Sequence, residues 1–172
     1  PRPDQRTAPL SLMQERLALL EELNPGRTTY HTPSAHRLVG PLDVAAFEHA
    51  FRMLMQRHAV LRTAIGREGG KLVQRVHEDV DPGLLPLEDL EGLPEARRES
   101  ELMLRIQALV AVPFDLGAAP LFRARLFRLE PELHVMFFMP HHMVWDGWSF
   151  DLMYQDLAEL YAAALGGRAP EL

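Results

Sequence analysis

Apolar positions in this chain recur with two periods, and the switches between them divide it into alternating helices and strands. Ser11-Leu12-Met13-Gln14 is a capping-box pattern, and it predicts a helix running to about Leu23, halted by Asn24-Pro25-Gly26. Ser34 to Val39 reads as a short strand ended by Gly40-Pro41. Asp43 is placed to cap a second helix, whose Phe47, Ala50, Phe51, Leu54 and Met55 fall on one face. Val60 to Ile65 and Lys71 to Val76 predict two strands joined through Glu68-Gly69-Gly70. Asp79 to Pro94 reads as a loop with a turn at Pro82-Gly83. Glu95 to Val112 predicts a helix with Leu102, Ile106, Leu109 and Val110 on one face, stopped by Pro113. Leu121 to Leu129 alternates roughly apolar and basic, as an antiparallel strand with one wet face does. Glu130-Pro131-Glu132 turns the chain into Leu133 to Met139, which is nearly all apolar and suits a strand covered on both faces. Ser149 is placed to cap a last helix through Leu165, ended by Gly166-Gly167. Interspersed helices and strands with a hairpin predict an α/β sandwich: two layers, a mixed and mostly antiparallel sheet, and helices on one face.

The 172 residues suffice for one domain. Hydrophobic residues at 47% and charged residues at 24% are ordinary for a globular chain, so composition separates no special class. A formal net charge of −6 argues against a nucleic-acid surface, which normally shows a basic face. With no cysteine, disulfides, thiolate metal sites and a cysteine nucleophile are excluded. No apolar run approaches the roughly 20 residues of a membrane helix. The polar start Pro1-Arg2-Pro3-Asp4-Gln5-Arg6 has no signal-peptide character, and residues 1–9 read as a linker-like segment before a domain over residues 10–172. The expected location is the cytoplasm.

The chemistry concentrates in His141-His142-Met143-Val144-Trp145-Asp146-Gly147-Trp148-Ser149, between the apolar strand and the last helix. Imidazole moves protons near neutral pH because its unperturbed pKa is about 6.5. Adjacent side chains on extended backbone point to opposite sides, so only one of the pair faces a given cleft. His142 is the candidate for the reaction, and His141 for a supporting place in the same site. Asp146 is a candidate base or orienter for His142, or a buried carboxylate paired with an arginine. Gly147 offers a tight turn, or a backbone N–H brought close to a substrate oxygen. Trp148 and Ser149 are candidate substrate-binding residues, with Ser149 better suited to capping a helix than to acting as a nucleophile. Diverging histidines and the lack of a His-Glu-x-x-His pattern argue against a metal site.

The run resembles the His-His-x-x-x-Asp-Gly motif of nonribosomal peptide synthetase condensation domains. Leu10-Ser11-Leu12-Met13-Gln14-Glu15-Arg16-Leu17 is similar to that family's first motif, departing only around Leu17, where an aromatic residue is usual. Arg57-His58-Ala59-Val60-Leu61-Arg62-Thr63 resembles its second motif, and Pro113-Phe114-Asp115-Leu116 with Pro120-Leu121-Phe122-Arg123 resembles a further recurring segment. Four patterns in order outweigh any one alone.

The resemblance implies a chloramphenicol-acetyltransferase-like fold of two lobes, of which this chain holds the N-terminal one. It makes His142 the essential residue and Asp146 mainly structural, with Arg62 as the ionic partner of Asp146. It implies amide formation between an upstream acyl or peptidyl thioester and a downstream aminoacyl amine. Both would arrive on phosphopantetheine arms of carrier domains, with no cofactor bound directly. The C-terminal lobe and an adjacent adenylation domain are the further partners it implies. The histidine pair favours simple amide formation over heterocyclisation. An acyl-CoA-dependent acyltransferase of the same fold and a non-catalytic docking lobe are the competing readings; the motifs around Leu10 and Arg57 speak against the first.

Overall fold

A computed structural model describes residues 6–78 and 85–172. The chain runs β1 (Thr7–Pro9), α1 (Leu12–Leu23), β2 (Ser34–Val39), α2 (Val44–Arg57), a 3-10 turn (Ala59–Arg62), β3 (Thr63–Glu68), β4 (Lys71–Val76), β5 (Leu87–Asp89), α3 (Glu95–Ala111), β6 (Phe122–Glu130), β7 (Leu133–Pro140) and α4 (Gly147–Gly166). A four-stranded sheet has the order β2-β7-β6-β5, and a three-stranded sheet the order β1-β4-β3.

β7 is the centre of the larger sheet, antiparallel to both β2 and β6. Its even positions, Met136 and Phe138, face α2 and α4 in a core with Phe51, Leu54, Leu126 and Leu157. Its odd positions, Val135, Phe137 and Met139, face Leu102 of α3, with Phe127 and Leu129. Helices therefore cover both faces, one more layer than the alternation along β6 suggested. The α/β class and the mostly antiparallel sheet stand, and the wet face expected for β6 is covered by α3. The reason is β5. It pairs parallel with β6, and a parallel pair needs a crossover, which α3 supplies across the second face.

β5 lies in the stretch that reads as loop, since three residues carry no legible alternation. The expected turn at Pro82-Gly83 lies outside the described residues. Val60 and Leu61 were expected in a strand and instead sit in a 3-10 turn, because the Leu61 N–H bonds His58 O and the strand begins only at Thr63. The β3–β4 hairpin turns through Gly69 and Gly70 at φ +56° and +81°, the left-handed pair that a two-residue loop requires. Of the linker-like N-terminus, Thr7–Pro9 is an edge strand on β4.

A third, smaller core joins Leu10, Ala18 of α1, Ile65 and Leu121 to Met143. It seats α1 against the histidine-bearing loop. Among the described residues, no helix is long and apolar enough to cross a membrane.

Candidate active site

The loop from His141 to Asp146 links the buried central strand to the N-terminus of α4, and its backbone is held on several sides. The His141 N–H bonds Leu121 O at 2.9 Å and the His142 N–H bonds Tyr30 O at 2.8 Å. Val144 N–H closes a turn onto His141 O at 3.1 Å. The two histidine N–H groups are thus held by two different neighbouring segments, and the loop closes on itself at Val144.

His141 and His142 separate into a dry and a wet imidazole. His141 is 1% exposed, bridged to His31 on the neighbouring segment, with Phe114 edge-on to its ring. Its Nδ1 accepts the Met143 N–H at 3.0 Å, so the ring proton sits on Nε2, 3.5 Å from Glu21 Oε1. Burial, with lesser contributions from His31 and His142, holds its pKa down to about 4. Burial in turn pushes the Glu21 carboxyl up. His31 donates from Nδ1 to Val110 O at 2.9 Å and is likewise held low, chiefly by burial.

His142 is exposed, and its Nδ1 lies 2.6 Å from Trp145 O. A carbonyl oxygen only accepts, so Nδ1 carries the proton and donates. In the neutral ring Nε2 then keeps its lone pair, the tautomer a general base needs. The orienter of this imidazole is a backbone carbonyl, not a carboxylate.

Asp146 does something that neither expected role covers. Its Oδ1 accepts from Ser149 N at 3.0 Å and Ser149 Oγ at 2.7 Å, making it the N-cap of α4. These two bonds, the hydroxyl's first, hold its carboxyl below the usual carboxylate range. Ser149 is therefore not the cap but the third residue of the helix, and it serves the cap as donor. The expected ion pair between Arg62 and Asp146 is not formed. Arg62 directs Nε to Met55 O at 3.0 Å, Nη1 to His77 O at 2.7 Å and Nη2 to Gln56 O at 3.3 Å. Its guanidinium ties the last turn of α2 to the end of β4, because carbonyls at a helix C-terminus lack intrahelical donors. The carboxylate that does pair with the second motif is Asp156 of α4, 6% exposed, at 2.7 Å from His58 Nε2 and 3.3 Å from Arg57 Nε. Reading the sequence alone gives no reason to choose Asp156 over Asp146.

Gly147 does not turn the chain. Its φ is not in the left-handed region, and a Cβ built on it meets no heavy atom within 4 Å. Trp148 stands 84% exposed beside it. His142, Asp146, Gly147 and Trp148 thus form an open rim, while His141 lies beneath it and Arg62 is engaged elsewhere. Among the described residues, no group of three His, Asp or Glu side chains converges as a metal would need.

The sequence did not point to Glu21 or Tyr30, which touch the loop from distant segments. Gln14 was legible only as half of a capping box. It is also bonded to the loop, Nε2 to Met143 O at 3.1 Å, and no local pattern foretells a bond across 129 positions.

A family model described as a condensation domain matches residues 4–172. The chain is 43% identical over 164 residues to a linear gramicidin synthase protein of Brevibacillus parabrevis, a match that covers 95% of this chain and 3% of that protein. It is 36% identical over 164 residues to phosphinothricin tripeptide synthetase PhsC of Streptomyces viridochromogenes, covering 95% of this chain and 15% of that protein. Among solved structures, the first condensation domain of the CDA synthetase superposes with a TM-score of 0.85 at 28% identity, over 96% of this chain and 42% of that one. The starter condensation domain of rhizomide synthetase gives 0.88 at 24% identity, over 97% and 41%, a likeness of fold. The chain spans a small part of these synthetases and about two fifths of the solved condensation-domain chains. The fold, the loop and the match over residues 4–172 together show that this chain belongs to the condensation-domain family.

Proposed function

We propose that this chain is the N-terminal lobe of a condensation domain that joins a carrier-bound acyl or peptidyl thioester to a carrier-bound aminoacyl amine, with His142 at the reacting centre. The observation that carries this reading is the His142 Nδ1 to Trp145 O bond, which in the neutral ring leaves the lone pair of this exposed residue on Nε2.

In the step itself, the amine nitrogen attacks the thioester carbonyl, the C–N bond forms and the C–S bond breaks. The amine sheds one proton, which Nε2 of His142 is placed to receive, and the departing thiolate takes a proton up. A thioester is already activated, so holding two tethered substrates in register supplies much of the rate. His142 then serves as base and as orienting acceptor for the amine. Asp146 contributes by holding the start of α4, and with it Gly147 and Trp148, in place. Those two line the rim where a phosphopantetheine arm would pass. The partners of this reading are upstream and downstream carrier domains, the C-terminal lobe that walls the opposite side, and an adenylation domain, in a cytoplasmic synthetase.

The test is condensation by the full-length protein with donor and acceptor loaded on carriers and the amide followed by mass spectrometry. His142→Ala is expected to lower product by at least about a hundredfold, the low end for a lost general base. Its melting temperature should fall only slightly, since the side chain is exposed and one bond to a backbone carbonyl is lost. Undiminished product in that variant refutes the role.

A further inference from the structure

We propose that Gln14 is a positioning residue of this site: its side-chain amide, by bonding Met143 O, fixes the Met143–Val144 peptide, one residue past His142, and so helps aim the imidazole. The proposal rests on the condensation reading of His142. One amide does two jobs here. Ser11 N–H donates to Gln14 Oε1 at 2.9 Å, and Gln14 Nε2 donates to Met143 O at 3.1 Å. The two ends cannot be exchanged, because a flipped amide would set N–H against N–H and oxygen against oxygen.

Met143 is the residue directly after His142, and all three of its handles are taken. Its carbonyl is held by Gln14, its N–H by His141 Nδ1, and its side chain, 2% exposed, lies in the core with Leu10, Ala18 and Leu121. On the other side, the His142 N–H is tied to Tyr30 O. The exposed imidazole therefore stands on a backbone with no slack, and Gln14 is the one side chain of α1 that hydrogen-bonds that backbone.

The capping box does not explain why this side chain is an amide. Glutamate closes a capping box as well as glutamine does. Only glutamine also carries a donor for Met143 O. A carboxylate at the same place would keep the helix cap and face the carbonyl with an oxygen. Gln14→Glu thus divides the two jobs.

The experiment compares wild type, Gln14→Glu, Ser11→Ala and His142→Ala in the full-length protein with loaded carriers. It reads kcat and KM for each carrier substrate, the melting temperature, and hydrogen exchange of the peptide 140–146. Gln14→Glu should melt somewhat earlier than wild type, because Met143 O loses its donor, and exchange its loop amides faster. It should lose kcat about ten- to a hundredfold at nearly constant KM, the cost of a misplacement of about 1 Å. Ser11→Ala, which weakens the cap and keeps the loop bond, should melt earlier and keep kcat. Full activity in Gln14→Glu beside an inactive His142→Ala overturns the inference. So does a parallel loss of melting temperature and kcat in Gln14→Glu and Ser11→Ala, which would make Gln14 a helix cap only. If Gln14→Glu does not fold, Gln14→Met takes its place, and a kcat no lower than that of Ser11→Ala overturns the inference. Equal activity in wild type and His142→Ala is a different failure. It removes the condensation reading, and the inference with it.

Discussion

His141 and His142 share a peptide bond and differ in which ring nitrogen carries the proton. That difference follows from what each ring touches: a backbone N–H at Nδ1 of His141, a backbone C=O at Nδ1 of His142. The opposite directions of the pair were legible from strand geometry, but the tautomers were not, because they depend on the fold of the loop. The buried ring has a consequence for stability. Unfolded, a histidine titrates near about 6.5, whereas His141 is held at about 4. Between these values the unfolded chain binds a proton that the folded chain refuses, so stability rises with pH across the window and is lost on acidification. The contribution is roughly 3 kcal/mol, fully present above the unfolded value. His31 and His134, also held low by burial, act in the same direction, while the raised Glu21 carboxyl acts against them. Denaturant midpoints measured between pH about 7 and about 4 should fall with acid in the wild type. They should fall less in His141→Asn, whose amide oxygen can still accept from Met143 N. An equal slope in both would show that His141 does not carry the effect. Gly147 leads to a second expectation. Nothing in the chain stands where its side chain would go, so Gly147→Ala should fold with unchanged stability or gain up to about 1 kcal/mol. A lower melting temperature in that variant would contradict it.

The helices and most strands were legible because each repeats its signal over many residues. Phe47, Ala50, Phe51, Leu54 and Met55 all reach the core of α2, and every residue of β7 after Leu133 is buried. What was not legible is shorter than one period or depends on a distant partner. β5 has three residues and exists by pairing with β6. The 3-10 turn at Ala59–Arg62 carries strand-like residues that the fold overrides. At the start of α4, Asp146 and Ser149 are both capable caps, and the choice fell to the earlier one. Arg62 shows the same limit for charge. Its sequence context resembles an ion pair, and the fold makes it a clasp on three carbonyls. Arg62→Ala should therefore destabilise by about 1–3 kcal/mol, leaving those carbonyls without their donor. Arg62→Lys should restore only part of this, because an ammonium lacks the planar fork. Thermal melts of the three proteins decide it, and an unchanged midpoint in Arg62→Ala would show the clasp to be slack.

At the scale of the molecule, the site is an edge and not a cleft. His142, Gly147 and Trp148 face solvent, and Trp148 leaves 84% of its surface uncovered. Exposed aromatic surface beside an exposed base is expected where a second wall closes over both. The solved condensation domains with this fold have chains of which this one spans about two fifths, so there is room in them for such a wall. In the proposed condensation, rate from positioning requires that two arms be held at once, about 3–3.5 Å apart at the reacting atoms. On that reading, a rim without an opposite wall leaves at least one arm to diffuse. The 172-residue chain alone, given both loaded carriers, should therefore form no amide above the rate of carriers mixed without it, although its His142 is already in the basic tautomer. Adding the remainder of the domain as a separate polypeptide should restore product if the two parts associate, and mass spectrometry of the amide reads both arms. Multiple turnover by the chain alone would mean that the base suffices without the second wall, and that positioning contributes less than the open rim suggests.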